Sequence, residues 1–374
     1  MRRQAYILSV MRLTVKELFR YRKIITRSAV AVGGIFLALR FNNECYRGME
    51  KGISLCLGVL IPSLFFFMTV AAYIVQSGIA DTLCKPLKGL TRLLFHLPEQ
   101  SAAVILLAVI GGYPVGAASA SLMMQQRRLS PSQAAKTSYI AVAAGPGFLV
   151  NFIGGALLRN KEAGTVLLIS QVIAVILTGI IIGHTVKSEP LPHTCAPVRS
   201  GGNLLVSAVQ SASRSAFGMC AMVVVFCALS EVADAVITTP GLCDILSAML
   251  EITNGCSRIC TQYPLYMTAF FVGFGGLSVH FQIFSALGEV PVKKYLFFLF
   301  RIIEGIITGA ATYIYLMVTP MTVTTFSSLS NAPSASRSAT LAGSAALVLS
   351  SILFIGSMAK KSALIRGQTD QETI

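Results

Sequence analysis

Runs of about twenty apolar residues recur along almost the whole chain, each long enough as a helix to cross a hydrocarbon layer of about 30 Å. One is ISLCLGVLIPSLFFFMTVAAYIVQSGI, residues 53–79, and others cover 137–158, 165–186, 216–237, 295–318 and 341–358. Only 12% of the 374 residues are charged, and the mean hydropathy is +0.72. A soluble fold is excluded, because a water-facing surface needs roughly twice that share of charge. The bilayer is the solvent, and the fold class this predicts is an all-α polytopic membrane protein. A net charge of +15 would suggest nucleic acid in a soluble protein. Here much of the basic excess lies outside the apolar runs, so the expected partner is the lipid bilayer with its anionic headgroups, and no nucleic acid.

The N-terminus, MRRQAYILSVMRLTVKELFRYRKIITR, carries eight basic residues before a short apolar run at 28–39, and no small-residue cleavage site follows it. An uncleaved, cytoplasmic, basic N-terminus is expected. The nine cysteines form no CxxC pair and no Cys/His cluster with metal spacing, so neither a metal site, a disulfide framework nor a cofactor is expected. Cys220 and Cys227 share a helix face as free, packed thiols. Pro62 interrupts the 53–79 run and predicts a kink. Residues 80–101 place Leu and Phe among Lys85, Lys88 and Arg92, a pattern suited to a helix lying in the interface. Residues 187–203, with three prolines and two glycines, form the clearest linker. The organisation expected is a basic N-terminus with the first apolar segment (1–52), a first membrane repeat (53–186), the linker (187–203), a second repeat (204–358) and a polar tail (359–374).

Two apolar segments cannot run as undisturbed helices. Residues 102–124 contain GGYPVGA, with Gly111, Gly112, Tyr113, Pro114 and Gly116, and residues 263–287 contain GFGGLSVHFQ, with Gly273, Gly275, Gly276, Ser278, His280 and Gln282. The 137–158 run is itself interrupted by Gly145, Pro146 and Gly147. Each half reads as span, interfacial stretch (80–101; 238–262), broken segment, span, span. The broken segments begin 49 and 47 residues after their first spans, and the next spans follow 35 and 32 residues later, which points to internal duplication. If both broken segments re-enter, the loops carry 18 Lys and Arg inside against 11 outside; if both cross, the bias vanishes at 15 against 14. Two inverted repeats, each with a glycine-broken re-entrant segment and an interfacial helix, are therefore expected.

Irregular backbone at membrane depth must face protein or water, since an unpaired N–H or C=O in lipid costs several kcal/mol. The two breaks thus mark a candidate gate or binding site, to which Tyr113, Ser278, His280 and Gln282 add donors and acceptors. The alternative is that the glycines only permit close helix packing and His280 is a satisfied core histidine. Glu251, Thr253 and Asn254 either reach the same midplane or cap and end the second interfacial helix. Asn151 and Gln171, isolated amides in apolar runs, fit interhelical hydrogen bonds. Arg301 and Glu304, three apart on one helix face, are expected to pair. Glu231 and Asp234 need headgroup exposure or a cation. No P-loop, HExxH, GxSxG or dinucleotide fingerprint is present, and no catalytic residue is assigned; an enzyme is not expected.

The stretches IPSLFFFMTVAAYIVQSGIAD, PLKGLTRLLFHLP, AVIGGYPVGA, LEITNG and VGFGGLSVHFQ, in this order over about residues 50–318, resemble the YlbJ family of sporulation integral membrane proteins. That family sits among the nucleoside-recognition or Gate-domain membrane proteins, with the spore maturation proteins, and is distantly similar to concentrative nucleoside transporters and the membrane part of ferrous iron transporters. The resemblance implies a cell-membrane location in a sporulating bacterium and a part in spore formation. It also implies a small polar or nucleoside-like solute. Relatives often carry asparagine just before the Gly-Pro of the crossing after the first broken segment; here the stretch reads AVAAGPGF, with Val142, Ala143 and Ala144. That departure implies a different site at this position. The alternative to a transporter is a scaffold at the forespore membrane.

Overall fold

A computed structural model describes residues 21–190 and 203–319, apart from residue 23. The first twenty residues, most of the 187–203 linker and the run at 341–358 lie outside the described residues. Among the described residues five helices are long and apolar enough to cross a membrane, or six if one sharply bent pair counts as a span. Phe66, Phe217 and Ile306 are more than half exposed on this bundle, as lipid-facing side chains are.

Helix α1 (24–40) leads into α2 (Asn42–Ser77). A π-helical turn at Cys56–Leu60 lies one turn before Pro62, where the missing proline N–H is absorbed. Two short helices follow, α3 (Ile79–Cys84) and α4 (Lys88–Phe95), and the chain bends by 96° between Lys85–Phe95 and the next helix. That helix, α5 (Glu99–Gly111), reverses at Gly112 into α6 (Tyr113–Gln125). The reversal is tight: a Cβ added at Gly116 would lie 2.7 Å from the Cβ of Ala108, eight residues earlier. The first glycine-broken segment is a hairpin.

Helix α7 (Pro131–Ile140) opens with a capping box, Ser130 and Gln133 bonding each other's backbone, and stops at an unwound stretch, residues 141–146. The π-helical α8 (Gly147–Leu157) continues it, and α9 (Lys161–Thr185) closes the first half. The second half starts with α10 (Leu204–Val236), 33 residues long and twelve residues earlier than the apolar run at 216 suggests. It packs antiparallel to α2, with Gly48 against Ala228, Gly52 against Val224, and Cys56 Sγ 3.7 Å from the Cys220 carbonyl. A Cβ at Gly48 would fall 2.5 Å from the Ala228 Cα, so a glycine is needed for this approach.

Residues 238–262 depart from the interfacial expectation. They form α11 (Pro240–Leu250) and α12 (Ile252–Ile259), folded back on each other at Glu251, with Gly255 against Ala248. Glu251, Thr253 and Asn254 at the tip are at most 2% exposed. The mixed polarity that suggested headgroup contact instead satisfies a buried hairpin tip.

The second glycine-broken segment also departs from expectation. Helices α13 (Leu265–Phe274) and α14 (Gly276–Leu287) make one 23-residue apolar run, Leu265–Leu287, hinged at Gly275 and Gly276 with φ of +90° and +73°. The run starts beside α11, where the Tyr263 hydroxyl meets Asp244, and ends where Ser285 and Ala286 face Gln76 at the far end of α2. It traverses the bundle rather than turning back. Helix α15 (Lys294–Val318) returns antiparallel to α13, with Gly305 against Phe270 and Gly309 against Tyr266.

Candidate functional site

Four discontinuities meet in the middle of the bundle. Gly112, at the first hairpin tip with φ +89°, would carry a Cβ 3.5 Å from the Gly145 nitrogen in the unwound stretch after α7. Gly116 crosses the same stretch so closely that a Cβ would sit 2.1 Å from the Ala141 carbonyl. The second hairpin tip lies on the other hinge, where a Cβ at Gly276 would meet the Ala248 oxygen and Ile252 nitrogen at 3.3 Å. Each hairpin tip thus rests on the break of a longer segment. Tyr113 links the two sets, its hydroxyl donating to the Val272 carbonyl at 2.7 Å.

Breaking a helix leaves carbonyls without partners, and both broken segments solve this with side chains. Arg301, from α15, donates to the carbonyls of Tyr139 (2.7 Å) and Val142 (3.1 Å) at the end of α7. Its Nη2 is 2.7 Å from Glu304 Oε2, and Gln171 of α9 donates to Glu304 Oε1 at 2.7 Å. Arg301 and Glu304 are fully buried, which is tolerable because their charges are paired and the two Nη atoms of Arg301 reach backbone carbonyls, while Arg301 Nε has no hydrogen-bond partner among the described residues. On α13 the same task falls to Tyr113 and to His280, whose Nε2 is 2.7 Å from the Phe274 carbonyl.

The helix starts are treated differently. No side chain caps α6, α8 or α14 at the breaks. Helix α12 is capped by Glu251, which accepts from the Asn254 N–H at 2.6 Å. Asn254 in turn donates to Ser247 (3.1 Å) and Ser230 (3.3 Å), tying the tip to α11 and α10. The starts of α6, α8 and α12 all line one cavity of about 30 Å³, roughly the room of one water, with Gly112, Tyr113, Gly145, Glu251, Thr253 and Gln282 in its wall. Partial positive charge from three helix N-termini therefore converges on a space holding one carboxylate.

A second, much larger cavity of about 490 Å³ opens beside it between α2, α6, α10 and α14. Gln76, Gln125, Gln210, Ser211 and Arg214 make its wall polar, and among the described residues Arg214 is the one charged side chain there. Pro114, Met219 and Gln282 border both cavities, so the vestibule ends against the hairpin tips.

Among known proteins, sporulation integral membrane protein YlbJ of Bacillus subtilis (strain 168) is 22% identical over 320 residues, spanning 74% of this chain and 78% of that protein. This chain is YlbJ-like, at a distance. No family model matches it, and no solved structure matches it.

In this YlbJ-like chain the structure brings Gly111, Gly112, Tyr113, Pro114, Gly145, Pro146, Glu251, Thr253, Gly275, Gly276 and Gln282 to the tips and breaks. Gly273 packs on Gly305 and Thr308 one turn before the hinge. Ser278 is fully buried and receives the Gln282 amide at 3.0 Å. His280 lies among the rings of Phe274, Phe297 and Phe298 and does not reach the cavity. Asn151 is exposed on α8 and stands apart from the site. Glu231 and Asp234 are ion-paired, Glu231 with Lys51 at 3.4 Å and Arg258 at 3.7 Å, and Asp234 with both guanidinium nitrogens of Arg258. No group of three or more His, Cys, Asp or Glu side chains placed to hold a metal occurs among the described residues.

The vestibule residues Gln76, Ser121, Gln125, Gln210 and Arg214 carried no signal by themselves. A clue existed in the first third of α10, NLLVSAVQSASRS, where polar residues recur every three or four positions inside a helix that must cross lipid.

Proposed function

We propose that the chain forms a gated solute pathway built from two inverted repeats. One comprises α2, the α5–α6 hairpin, the α7/α8 crossing broken at 141–146, and α9. The other comprises α10, the α11–α12 hairpin, the α13/α14 crossing broken at Gly275, and α15. The antiparallel course of α2 and α10 supports this pairing, as does the element order. In this register the glycine-broken segment at 102–124 pairs with α11–α12, and Leu265–Leu287 pairs with α7/α8. The observation that carries the reading is the meeting of two buried hairpin tips and two helix breaks at the blind end of a polar vestibule. Such an arrangement is how membrane proteins expose backbone dipoles to a polar solute.

The vestibule opens at the end of the bundle where Lys85, Arg92, Arg127, Lys187, Lys293 and Lys294 lie. By the positive-inside tendency that end is cytoplasmic. A wall of amides, hydroxyls and one guanidinium favours a neutral or anionic polar solute over a cation. The name of the Bacillus subtilis relative supports a place in the membrane of a sporulating cell. The role is transport rather than catalysis.

The test is release of solute from vesicles. Full-length protein reconstituted into vesicles loaded with a mixture of small polar metabolites should deplete one chemical class, measured by mass spectrometry, and Gly112→Leu should stop the depletion while the protein still inserts. A scaffold role would be favoured instead by a mixture that stays intact, with Ser211→Cys in the vestibule unreactive to a water-soluble thiol reagent from either side.

A further inference from the structure

The gate contains a carboxylate that lacks a cation. Glu251 is 1% exposed at the tip of the second hairpin, where it accepts from the Asn254 backbone N–H at 2.6 Å and from the N–H and hydroxyl of Thr253. Among the described residues no Lys or Arg is within 4.0 Å of it. The nearby cations are committed elsewhere, Lys51 and Arg258 to Glu231 and Asp234, and Arg301 to Glu304. An unpaired buried carboxylate in a membrane protein is costly and marks a functional position by default. This one also faces the cavity of about 30 Å³, room for about one water, that shares Pro114, Met219 and Gln282 with the polar vestibule.

We propose that Glu251 is a proton-binding site that couples proton uptake to opening of the gate. The proposal rests on the gated-pathway reading. As an anion, Glu251 caps α12 and is held by the positive end of that helix. As a neutral acid it loses that attraction and gains an O–H to donate. Asn254 Oδ1, buried on the same tip with no hydrogen-bond partner, is an acceptor waiting for a donor. Protonation therefore rearranges the hydrogen bonds of the tip that closes the vestibule.

The titratable and charged groups around Glu251 include Tyr113 from α6, Cys56 and Lys51 from α2, Cys227 from α10, Cys256 from its own helix, Arg258 of α12 in its pairs with Glu231 and Asp234, and Glu304 of α15 in its pair with Arg301. On α14 the titratable residue is His280, which is turned away into an aromatic cluster. Phenols, thiols and ammonium groups ordinarily change charge only above about pH 8. A response of the tip at lower pH therefore comes from a carboxylate, and its loss in Glu251→Gln assigns it to Glu251 rather than to the ion-paired Glu231, Asp234 or Glu304.

The experiment uses the full chain without native cysteines, in vesicles, carrying either Thr253→Cys at the tip or Ser211→Cys in the vestibule. A membrane-impermeant maleimide is applied from the vestibule side, and the Ser211→Cys rate corrects for the reagent's own pH dependence. The corrected Thr253→Cys rate should rise by about fivefold or more as pH falls from about 7.5 to about 5.5. Glu251→Gln should hold it at the fast value at both pH values, and Glu251→Asp should restore the dependence. A rate ratio independent of pH, or a dependence that survives Glu251→Gln, overturns the proposal. Labelled Ser211→Cys with a flat Thr253→Cys response overturns the proton site alone, whereas unlabelled Ser211→Cys overturns the gate as well.

Discussion

The two hairpins do one job with opposite chemistry. The first turns on Gly112, whose φ of +89° a side chain would strain, and its tip carries no ionisable side chain except the phenol of Tyr113. The second turns on Glu251, with an extended backbone at φ −142° that suits any residue, and is held by a carboxylate cap and an Asn254–Ser230–Ser247 network. The breaks they rest on reverse the distribution. The end of α7 is capped by the charged Arg301, whereas the end of α13 is capped by a phenol and an imidazole. The second half therefore supplies both formal charges at the centre of the bundle, Arg301 to the break of the first half and Glu251 to its own hairpin tip. A charge locked in a pair with Glu304 is a fixed structural element, whereas a charge held by the neutral donors of its own tip, Thr253 and Asn254, can change state.

This contrast can be broken at four points. The largest effect should come from Arg301→Met, which strands Glu304 and uncaps Tyr139 and Val142, at a cost of about 3–5 kcal/mol. Thermal unfolding of the purified protein should show the loss, and Arg301→Met with Glu304→Leu should recover much of it. Next is the close approach that each hairpin shares. Gly116→Ala and Gly255→Ala force a Cβ to 2.1 Å and 2.2 Å from backbone atoms, and each should cost about 2–3 kcal/mol, while Gly58→Ala, with open space around it, should not lower the melting temperature.

The tips themselves come third. Gly112→Ala should cost about 1–3 kcal/mol through strain, and Glu251→Ala about 1 kcal/mol through loss of the cap, with Glu251→Gln smaller because an amide oxygen still accepts. Equal losses for Glu251→Ala and Glu251→Gln would mean that the charge, not the acceptor, holds the tip. The smallest effect belongs to Arg258→Gln, which frees α12 from α10 at a pair with side chains 22% and 23% exposed. It should cost about 1 kcal/mol or less and shrink further at high salt, visible as a salt-dependent difference in melting temperature.

The same contrast explains what could be read from residues alone. Glycine and proline announce a break wherever they occur in an apolar run, so GGYPVGA, GPG and GFGG were all legible as discontinuities. Whether a discontinuity is a reversal or a hinge is not written locally. Gly112 reverses its chain because Gly116 can pass beside Ala108 and Ala141, and Gly275 merely hinges because α13 is held along α15. The α11–α12 hairpin was hidden for the complementary reason: its turn needs no glycine, and LEITN looks like a helix end at an interface. The alternation of spans and breaks was therefore visible, whereas which break reverses the chain and which only hinges it was not.

Sequence by itself determined that this chain lies in a bilayer, that its helices are interrupted, and that Arg301 and Glu304 stand on one face. Those properties follow from composition and from spacing along a single helix, which local chemistry sets. Tertiary structure alone decided that Arg301 caps a helix end 159 residues away, that Glu251 meets Gly112 across a cavity, and that four helix faces with scattered Gln and Ser make one vestibule. The physical reason is that a buried polar group is specified by the partner it lacks in its own helix, and that partner comes from wherever packing brings another chain segment.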